Sequence, residues 1–316
     1  MKNILLDCDP GHDDMIAILL ALYSPDLNVL GITTVAGNQT GEKTFNNALK
    51  ILTLIGRREV KVAKGFGKPI LRDLVIAPSI HGVSGLDGAL LPEPSVEPLQ
   101  IHAVDFIIQT LMSAKENVYL VSTGPLTNIA VAIIKEPLIK NKIEMIVLMG
   151  GAMRDSNITP SAEFNIYVDP EAAKIVFESG VPITMVGLDV TNRAVLSFED
   201  INELEKINGR VSSVVAPLIK FFANTNRDVF GIQGAPLHDA LAVSYLIDPT
   251  ILSLKKLHVD IETLGEFTRG RTVVDFYGVT RKVPNADVAL DLNLDKFKAL
   301  LFKAISYFDE ASRISF

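Results

Sequence analysis

Residues 4–22 read ILLDCDPGHDDMIAILLAL, and this stretch decides the fold. A short apolar run of strand length leads through an acidic segment into a longer apolar run, so the pattern predicts a strand followed by a helix. The segment between them carries Asp7, Asp9, Asp13 and Asp14. Like charges this close repel one another unless a cation, a proton or hydrogen-bond donors compensate them, whereas capping a helix needs only one such residue. The turn is therefore predicted to bind a hard cation through oxygen ligands.

Short apolar segments alternate with longer amphipathic ones along most of the chain. The pattern predicts strands at residues 3–6, 29–34, 118–122, 143–149, 183–186, 258–262 and 273–276, and helices at 15–23, 42–55, 103–114, 127–134, 170–179, 211–224, 236–246 and 294–307. Such alternation is typical of parallel sheets, because each parallel connection needs about a dozen residues or more. We expect an α/β fold with a doubly wound, mostly parallel central sheet flanked by helices. No low-complexity linker divides the chain, so residues 1–316 are predicted to form one domain.

The composition excludes several classes of protein. The chain has 316 residues, a formal net charge of -7 and 48% hydrophobic residues. An acidic balance argues against nucleic acid or an anionic membrane as partner, since both reward basic surfaces. Cys8 is the single cysteine and permits no internal disulfide. The start lacks the apolar run of about 7 to 15 residues found in signal peptides, and no stretch reaches the roughly 18 apolar residues of a membrane span. We expect a cytoplasmic protein with a small polar ligand.

Polar clusters follow several of the predicted strands. Asn38 comes after the second strand, Thr123 directly after residues 118–122, and a Gly-Gly pair after residues 143–149. Each cluster alone could be an ordinary turn, but ligands of such sheets bind beyond the carboxyl ends of the strands. We expect these clusters to meet at one edge of the sheet and to form a ligand site.

Closely spaced aspartates also occur in other proteins. The EF-hand pattern fails here, because His12 stands where that loop needs glycine and Ile18 where it needs glutamate. A phosphatase of the haloacid dehalogenase type also places Asp-x-Asp after its first strand, and this alternative stays open. However, the string Asp-x-Asp-Pro-Gly-x-Asp-Asp at residues 7–14 resembles the nucleoside hydrolase family. The AEFNI segment at residues 162–166 and the His-Asp pair at 238–239 are similar to that family too.

The resemblance implies a Rossmann-like fold and a bound Ca²⁺. In this family the ion would be held by Asp9, Asp14, the backbone carbonyl of Thr123 and Asp239. Calcium accepts about 6 to 8 oxygen ligands in loose geometry, so it can also take ribose hydroxyls and a water.

The resemblance further implies hydrolysis of the N-glycosidic bond of a ribonucleoside to ribose and free base. Asp9 would be the general base, and His238 would protonate the departing base. The substrate would be bound by Asp13, Asn38, His81, Met149, Asn157, Glu163, Phe164, Asn165 and Asp239. We expect His12 to be structural. A related N-ribosyl hydrolase with another substrate and a non-catalytic ribose-binding protein are the remaining alternatives.

Base preference is predicted less sharply. Purine-specific members of the family hold the base between tryptophans, and this chain has no tryptophan. The inosine-uridine and the pyrimidine-restricted types both remain open. Residues 221–230 contain no tyrosine, although well-known members hold the base with tyrosines there. His81 lies in a glycine-rich loop, residues 80–88, that covers the base in the family. Family members are usually dimers or tetramers, so we expect a homo-oligomer whose only other partner is the small-molecule nucleoside.

Overall fold

The computed structural model describes residues 1–314, with side chains up to residue 311. The strands are β1 (Lys2–Cys8), β2 (Leu27–Thr34), β3 (Val62–Lys64), β4 (Val118–Ser122), β5 (Ile143–Met149), β6 (Ile183–Val186), β7 (Val195–Leu196), β8 (Ala235–Pro236), β9 (Leu252–Ile261), β10 (Thr272–Asp275) and β11 (Ala286–Leu292). The helices are α1 (His12–Tyr23), α2 (Gly41–Leu54), α3 (Pro78–His81), α4 (Ala103–Ser113), α5 (Thr127–Lys135), α6 (Phe164–Val168), α7 (Pro170–Phe177), α8 (Leu188–Thr191), α9 (Phe198–Ile207), α10 (Ser212–Phe230), α11 (His238–Ile247) and α12 (Leu294–Ile314).

Nine strands form the central sheet in the order β10-β9-β11-β6-β5-β4-β1-β2-β3. Pairing is parallel from β3 through to β11, and β9 runs antiparallel to both of its neighbours. The predicted doubly wound, mostly parallel sheet flanked by helices is confirmed. The chain proceeds from β1 outward to β3 on one side and from β4 to β6 on the other. The carboxyl ends of β1 and β4 therefore border the crevice in which such sheets bind ligands.

Both faces of the sheet are covered by helices. Along β1, Ile4 and Leu6 pack into the apolar layer beneath α1, α10, α11 and α12, while Leu5 packs into the layer beneath α4, α5 and α7. Successive residues of a strand point to opposite faces, so a strand buried on both sides has an unbroken apolar sequence. This double burial holds the end of β1 rigidly. No helix within residues 1–314 has the length and apolar character needed to cross a membrane.

Several boundaries differ from the sequence-based prediction. Strand β1 continues to Cys8, and α1 begins at His12, so Asp13 and Asp14 lie in the first turn of the helix. Helix α10 extends to Phe230, six residues beyond its predicted end. The prediction missed β11, the short strands β3, β7 and β8, and the short helices α3, α6 and α8. The short elements carry little periodic signal. Helix α9 was missed despite a recognisable start, the reciprocal capping box of Ser197 with Asp200.

Candidate active site

Three buried carboxylates meet at the carboxyl-terminal edge of the sheet. One oxygen each of Asp13, Asp14 and Asp239 lies within 4.8 Å of the others. Asp13 and Asp14 stand in the first turn of α1, and Asp239 stands in the first turn of α11. The amino terminus of a helix favours negative charge, so two helix ends point their partial positive charge at this cluster.

Asp14 is held from three sides. Its Oδ2 accepts hydrogen bonds from the Gly11 backbone N–H at 2.9 Å and from Asn38 Nδ2 at 3.0 Å. Its Oδ1 accepts from the Thr123 hydroxyl at 2.7 Å. The donors come from the turn after β1, the turn after β2 and the turn after β4. The polar clusters that follow these strands therefore meet, as the sequence predicts.

Asp9 lies next to this cluster in a tight turn. Its Oδ2 accepts from the Asn38 backbone N–H at 2.7 Å, and its buried Oδ1 has no hydrogen-bond partner among the described residues. A Cβ atom at Gly124 would lie 2.6 Å from Oδ1, and one at Gly37 would collide with Oδ2. Both positions accept only glycine if Asp9 keeps its place.

The four carboxylates compete for the same protons. Burial raises the pKa of Asp9, Asp13, Asp14 and Asp239 above the usual aspartate range, that of Asp13 to about 7. The neighbouring carboxylates raise the pKa of Asp9, Asp13 and Asp239 further. Ionisation of the whole group needs a compensating positive charge.

A hard divalent cation fits this group. The donors are all oxygens, and Oδ1 of Asp9 and Oδ1 of Asp13 are buried without a partner among the described residues. The three carboxylates whose oxygens lie within 4.8 Å of one another include Asp13 and do not include Asp9. Asp9, not Asp13, was predicted from the sequence to be a metal ligand. The Thr123 carbonyl already accepts from Asn165 Nδ2 at 2.8 Å and has a second lone pair free. The ligand set of Asp9, Asp14, Thr123 and Asp239 thus stays a prediction.

A cavity opens beside the cluster. It is lined by all the residues that the sequence analysis assigned to substrate binding, namely Asp13, Asn38, His81, Met149, Asn157, Glu163, Phe164, Asn165 and Asp239. Thr123 and His238 line it as well, whereas Asp9 and Asp14 lie behind its surface. Residues from six different turns or helices thus converge on one space, as a site for a small polar ligand requires.

The amide and carboxyl groups of the 157–165 segment are fixed by the backbone. Asn157 Oδ1 accepts from the Phe164 N–H at 2.8 Å, which leaves its Nδ2 available to a ligand. Glu163 accepts from the N–H groups of Asn165, Gly151 and Ile166 and thereby caps α6. Burial raises the pKa of Glu163 to about 7, and the backbone donors offset part of this effect. Glu163 therefore has a structural role as well as a position on the cavity wall.

His238 enters the cavity at the start of α11. Its Nδ1 lies 2.8 Å from the hydroxyl of Thr191, so Nε2 is the nitrogen left for a ligand. Burial lowers the pKa of His238 to about 4. The neutral ring is therefore the form of His238 at neutral pH. Sequence reasoning did not find Thr191, because a lone threonine at the end of a four-residue helix has no local signature.

The far wall of the cavity is mainly apolar. Helix α10 contributes Phe222, Asn226, Val229 and Phe230, which share one face of the helix. This i, i+4, i+8 spacing was readable in the sequence, but only the structure shows that the face meets the cavity. Arg227 points elsewhere and pairs with the adjacent Asp228. Helix α10 therefore presents two phenylalanines, a valine and an asparagine to the cavity.

The loop over the cavity is anchored. The carboxylate of Asp87 accepts from the N–H groups of Val83 and Ser84 and from the Ser84 hydroxyl. Asn47 Nδ2 donates to the carbonyl of Ser84 at 3.0 Å, and the Thr225 hydroxyl of α10 donates to a carbonyl of α3 at 2.8 Å. These bonds hold the loop against the body of the protein.

Comparison with known proteins agrees with this geometry. The sequence profile of the inosine-uridine preferring nucleoside hydrolases matches residues 4–299. The pyrimidine-specific ribonucleoside hydrolase RihA of Escherichia coli O7:K1 is 49% identical over 306 residues, covering 96% of this chain and 98% of that protein. RihA of Escherichia fergusonii is equally similar, with the same coverage.

Solved structures of nucleoside hydrolases have the same fold as this chain. The purine-preferring ribonucleoside hydrolase of Gardnerella vaginalis superposes with a TM-score of 0.92 at 35% identity, covering 98% of this chain and all of that one. The matches extend over nearly the whole chain, and the matched range of residues 4–299 contains the acidic turn, the AEFNI segment and the His-Asp pair. The chain belongs to the nucleoside hydrolase family and is an N-glycosyl hydrolase.

Proposed function

We propose that this protein hydrolyses the N-glycosidic bond of pyrimidine ribonucleosides and releases ribose and free base. The observation that carries the proposal is the cavity with two unlike walls. One wall presents the carboxylates and amides that suit a ribose, and the other presents the apolar face of α10, which suits a flat base. The 49% identity to pyrimidine-specific relatives supports the choice of base.

The proposal includes a Ca²⁺ ion held by Asp9, Asp14, the Thr123 carbonyl and Asp239, with Asp13 as the nearest alternative ligand. Bound there, the ion supplies positive charge that anchors sugar hydroxyls and lowers the pKa of a water. Asp9 and Asp13 support the assignment, because each has a buried oxygen without a partner among the described residues.

The carboxylates have a second role in the reaction. Departure of the base leaves oxocarbenium-like positive charge on the sugar, and Asp13 on the cavity wall together with the buried charges behind it stabilises that charge. Asp9 accepts the proton of the attacking water. Hydroxyls of the ribose bind Asp13 and Asn38 on the 2′ side.

The rest of the ribose is held by the 149–165 region. Asn157 and Glu163 bind the 5′-hydroxyl, and Asn165 and Asp239 bind the 3′-hydroxyl. Met149 packs beneath the ring. Asn165 Nδ2 is already bonded to the carbonyls of Thr123 and Met149, which fixes the amide and turns its oxygen to the ligand.

His238 assists the leaving base. In this proposal the Thr191 hydroxyl, 2.8 Å from Nδ1, donates to it, so the ring proton is on Nε2, the nitrogen available to the cavity. From there it donates to the base as negative charge develops on it. Phe164 and Phe222 enclose the base. Asn226 is the polar residue of α10 that lines the cavity, so it can form hydrogen bonds with the base.

The test is release of free base from a panel of uridine, cytidine, inosine, adenosine and guanosine. We expect uridine and cytidine to exceed the purine nucleosides at least tenfold in kcat/KM, because a difference of a single methylene group in an apolar pocket already discriminates by about 10- to 200-fold. Equal turnover of purines would contradict the pyrimidine assignment. Release of phosphate from phosphomonoesters, without release of any base, would contradict the hydrolase assignment.

We also propose that the protein is a homo-oligomer, a dimer or tetramer. Five apolar side chains around the edge strand β10 are at least 79% exposed, namely Leu264, Phe267, Tyr277, Val279 and Val283. A patch of this kind is typical of an interface. Light scattering should give a mass of two or four chains, and the double variant Phe267→Ser, Tyr277→Ser should lower it. A monomeric mass for the wild type would contradict the proposal.

A further inference from the structure

His81 lines the cavity, and the side of its ring that carries Nδ1 contacts a second histidine, His12. Its Nδ1 lies 3.4 Å from the backbone nitrogen of His12 and 3.3 Å from His12 Nδ1. A Cβ at Gly11 would lie 2.5 Å from the same Nδ1, so glycine at this position permits the approach. The His81 ring packs against Phe222 with the ring centroids 5.3 Å apart, and it meets His12 edge to edge through the two Nδ1 atoms, which keeps its plane fixed. Nε2 of His81 has no partner among the described residues and is free for a ligand.

The protonation of His12 follows from its neighbours. Its Nε2 lies 2.8 Å from the carbonyl of Asp87, and a carbonyl can only accept, so Nε2 carries a proton. The ring is fully buried and stacked between Phe221 and Phe222. No carboxylate in residues 1–311 accepts from it, and an unpaired charge in apolar surroundings is strongly disfavoured. His12 is therefore neutral, and its Nδ1 is an acceptor.

Nδ1 of His81 thus lies at nearly equal distances from one donor, the backbone N–H of His12, and one acceptor, Nδ1 of His12. In one tautomer, Nδ1–H of His81 donates to His12 Nδ1, and Nε2 faces the cavity as an acceptor. In the other, Nδ1 of His81 accepts from the His12 backbone N–H, and Nε2 faces the cavity as a donor. One hydrogen bond is kept behind the ring in both states. In each state the other group behind the ring is left unpaired, the His12 backbone N–H in the first and His12 Nδ1 in the second, so the two tautomers of the neutral imidazole are nearly balanced.

We propose that His12 lets His81 act either as a hydrogen-bond donor or as an acceptor toward the exocyclic group at position 4 of a pyrimidine base. This rests on the proposed function. Uracil presents an acceptor there, the 4-oxygen, and cytosine presents a donor, the 4-amino group. A group fixed as a donor would serve uridine and reject cytidine. His81 serves both because His12 supports either of its tautomers.

The test removes the acceptor and keeps the donor. His12→Phe preserves an aromatic ring next to Phe221 and Phe222 and preserves the backbone N–H, but it removes Nδ1. It also removes the Nε2–H bond to the carbonyl of Asp87, which should affect both substrates alike, so the readout is the ratio of the two rates. His81 is then restricted to the tautomer with a proton on Nε2. We expect kcat/KM for cytidine to fall about tenfold or more relative to that for uridine, since a donor then faces a donor. An unchanged ratio, or a selective loss of uridine, would overturn the proposal.

Two variants separate this effect from general damage. His81→Gln offers both an oxygen and an amide nitrogen to the cavity, so it should lower both rates while leaving their ratio within about threefold of wild type. His258→Gln, on the distant strand β9, should change neither rate. A shift of the ratio in His258→Gln as large as that in His12→Phe would count against the inference.

A second measurement does not depend on the variant folding. Histidine labelled with ¹⁵N reports which ring nitrogen carries the proton. In the wild-type protein with ribose and uracil, His81 should carry it on Nε2, and with ribose and cytosine on Nδ1. The same tautomer in both complexes would refute the inference.

Failure of the inference is distinguishable from failure of the proposed function. If the wild type releases no base from uridine or cytidine, the proposed function fails and the inference with it. If the wild type cleaves both nucleosides and the ratio is unchanged in His12→Phe, only the inference fails.

Discussion

The hydroxyl of Thr123 offers a way to weaken the cation site without removing a ligand. In Thr123→Val the backbone carbonyl stays, the side chain keeps its size, and the 2.7 Å bond to Asp14 Oδ1 is lost. Asp14 then keeps two of its three donors, the Gly11 N–H and Asn38 Nδ2. A hydrogen bond to a charged group contributes about 1.5–3 kcal/mol, and loss of a group that orients a metal ligand typically costs about 10- to 100-fold in affinity.

We therefore expect Ca²⁺ affinity, measured by isothermal titration calorimetry, to fall by about 10- to 100-fold in Thr123→Val. The sign follows from the pKa of Asp14, which burial raises and the Thr123 hydroxyl lowers. Without that hydroxyl, less of the carboxylate is ionised, and the cation must displace more proton.

A matched control lies on another turn of the protein. The hydroxyl of Thr127 donates to Asp169 Oδ2 at 2.6 Å, and Asp169 also accepts from two backbone N–H groups. Asp169 caps α7 and does not line the cavity. Thr127→Val should lower thermal stability yet leave Ca²⁺ affinity within about twofold of wild type. The reasoning is refuted if Thr123→Val binds as tightly as wild type, or if the two variants lose affinity equally.

Three further outcomes are expected. His238→Ala should lower kcat by about 10²- to 10⁴-fold in a base-release assay, with little change in the melting temperature. Gly124→Ala, whose Cβ would crowd Asp9, should lower kcat/KM by about 10²-fold, whereas Gly67→Ala, with open space around its Cβ, should be neutral in the same assay. Burial raises the pKa of Glu163 from 4.5 to about 7, so the folded chain keeps a proton that the unfolded chain has lost. The free energy of unfolding, measured with denaturant, should therefore fall as pH rises between these values, and the fall should be shallower in Glu163→Gln.

The sequence was most informative where one residue's environment is set by its neighbours in the chain. Strands β4, β5 and β6 have the predicted bounds because each is an apolar run with a polar turn after it. The acidic turn was readable for the same reason. Four aspartates within eight residues have few physical explanations, and the geometry of Asp13 and Asp14 in the first turn of α1 agrees with one of them.

Contacts between distant segments were not readable in this way. His12 appeared structural, since nothing near it in the chain indicates a partner, and its contact with His81 spans 69 positions. The pairing of Thr191 with His238 spans 47. Such pairs depend on the order of the strands and on where each helix begins, and a one-residue shift of α3 would separate the two imidazoles. Strands β9 and β10 were predicted in part, whereas β11 was missed for a related reason, as its antiparallel pairing with β9 is fixed only in the assembled sheet.

We propose above that buried carboxylates at the end of β1 hold a cation on which bond cleavage depends. The most direct test is to strip the protein with a chelator and titrate Ca²⁺ back while following the release of uracil from uridine. We expect activity to rise from background in step with the binding of one ion per chain. Full activity in the stripped protein, with no response to added Ca²⁺, would contradict it.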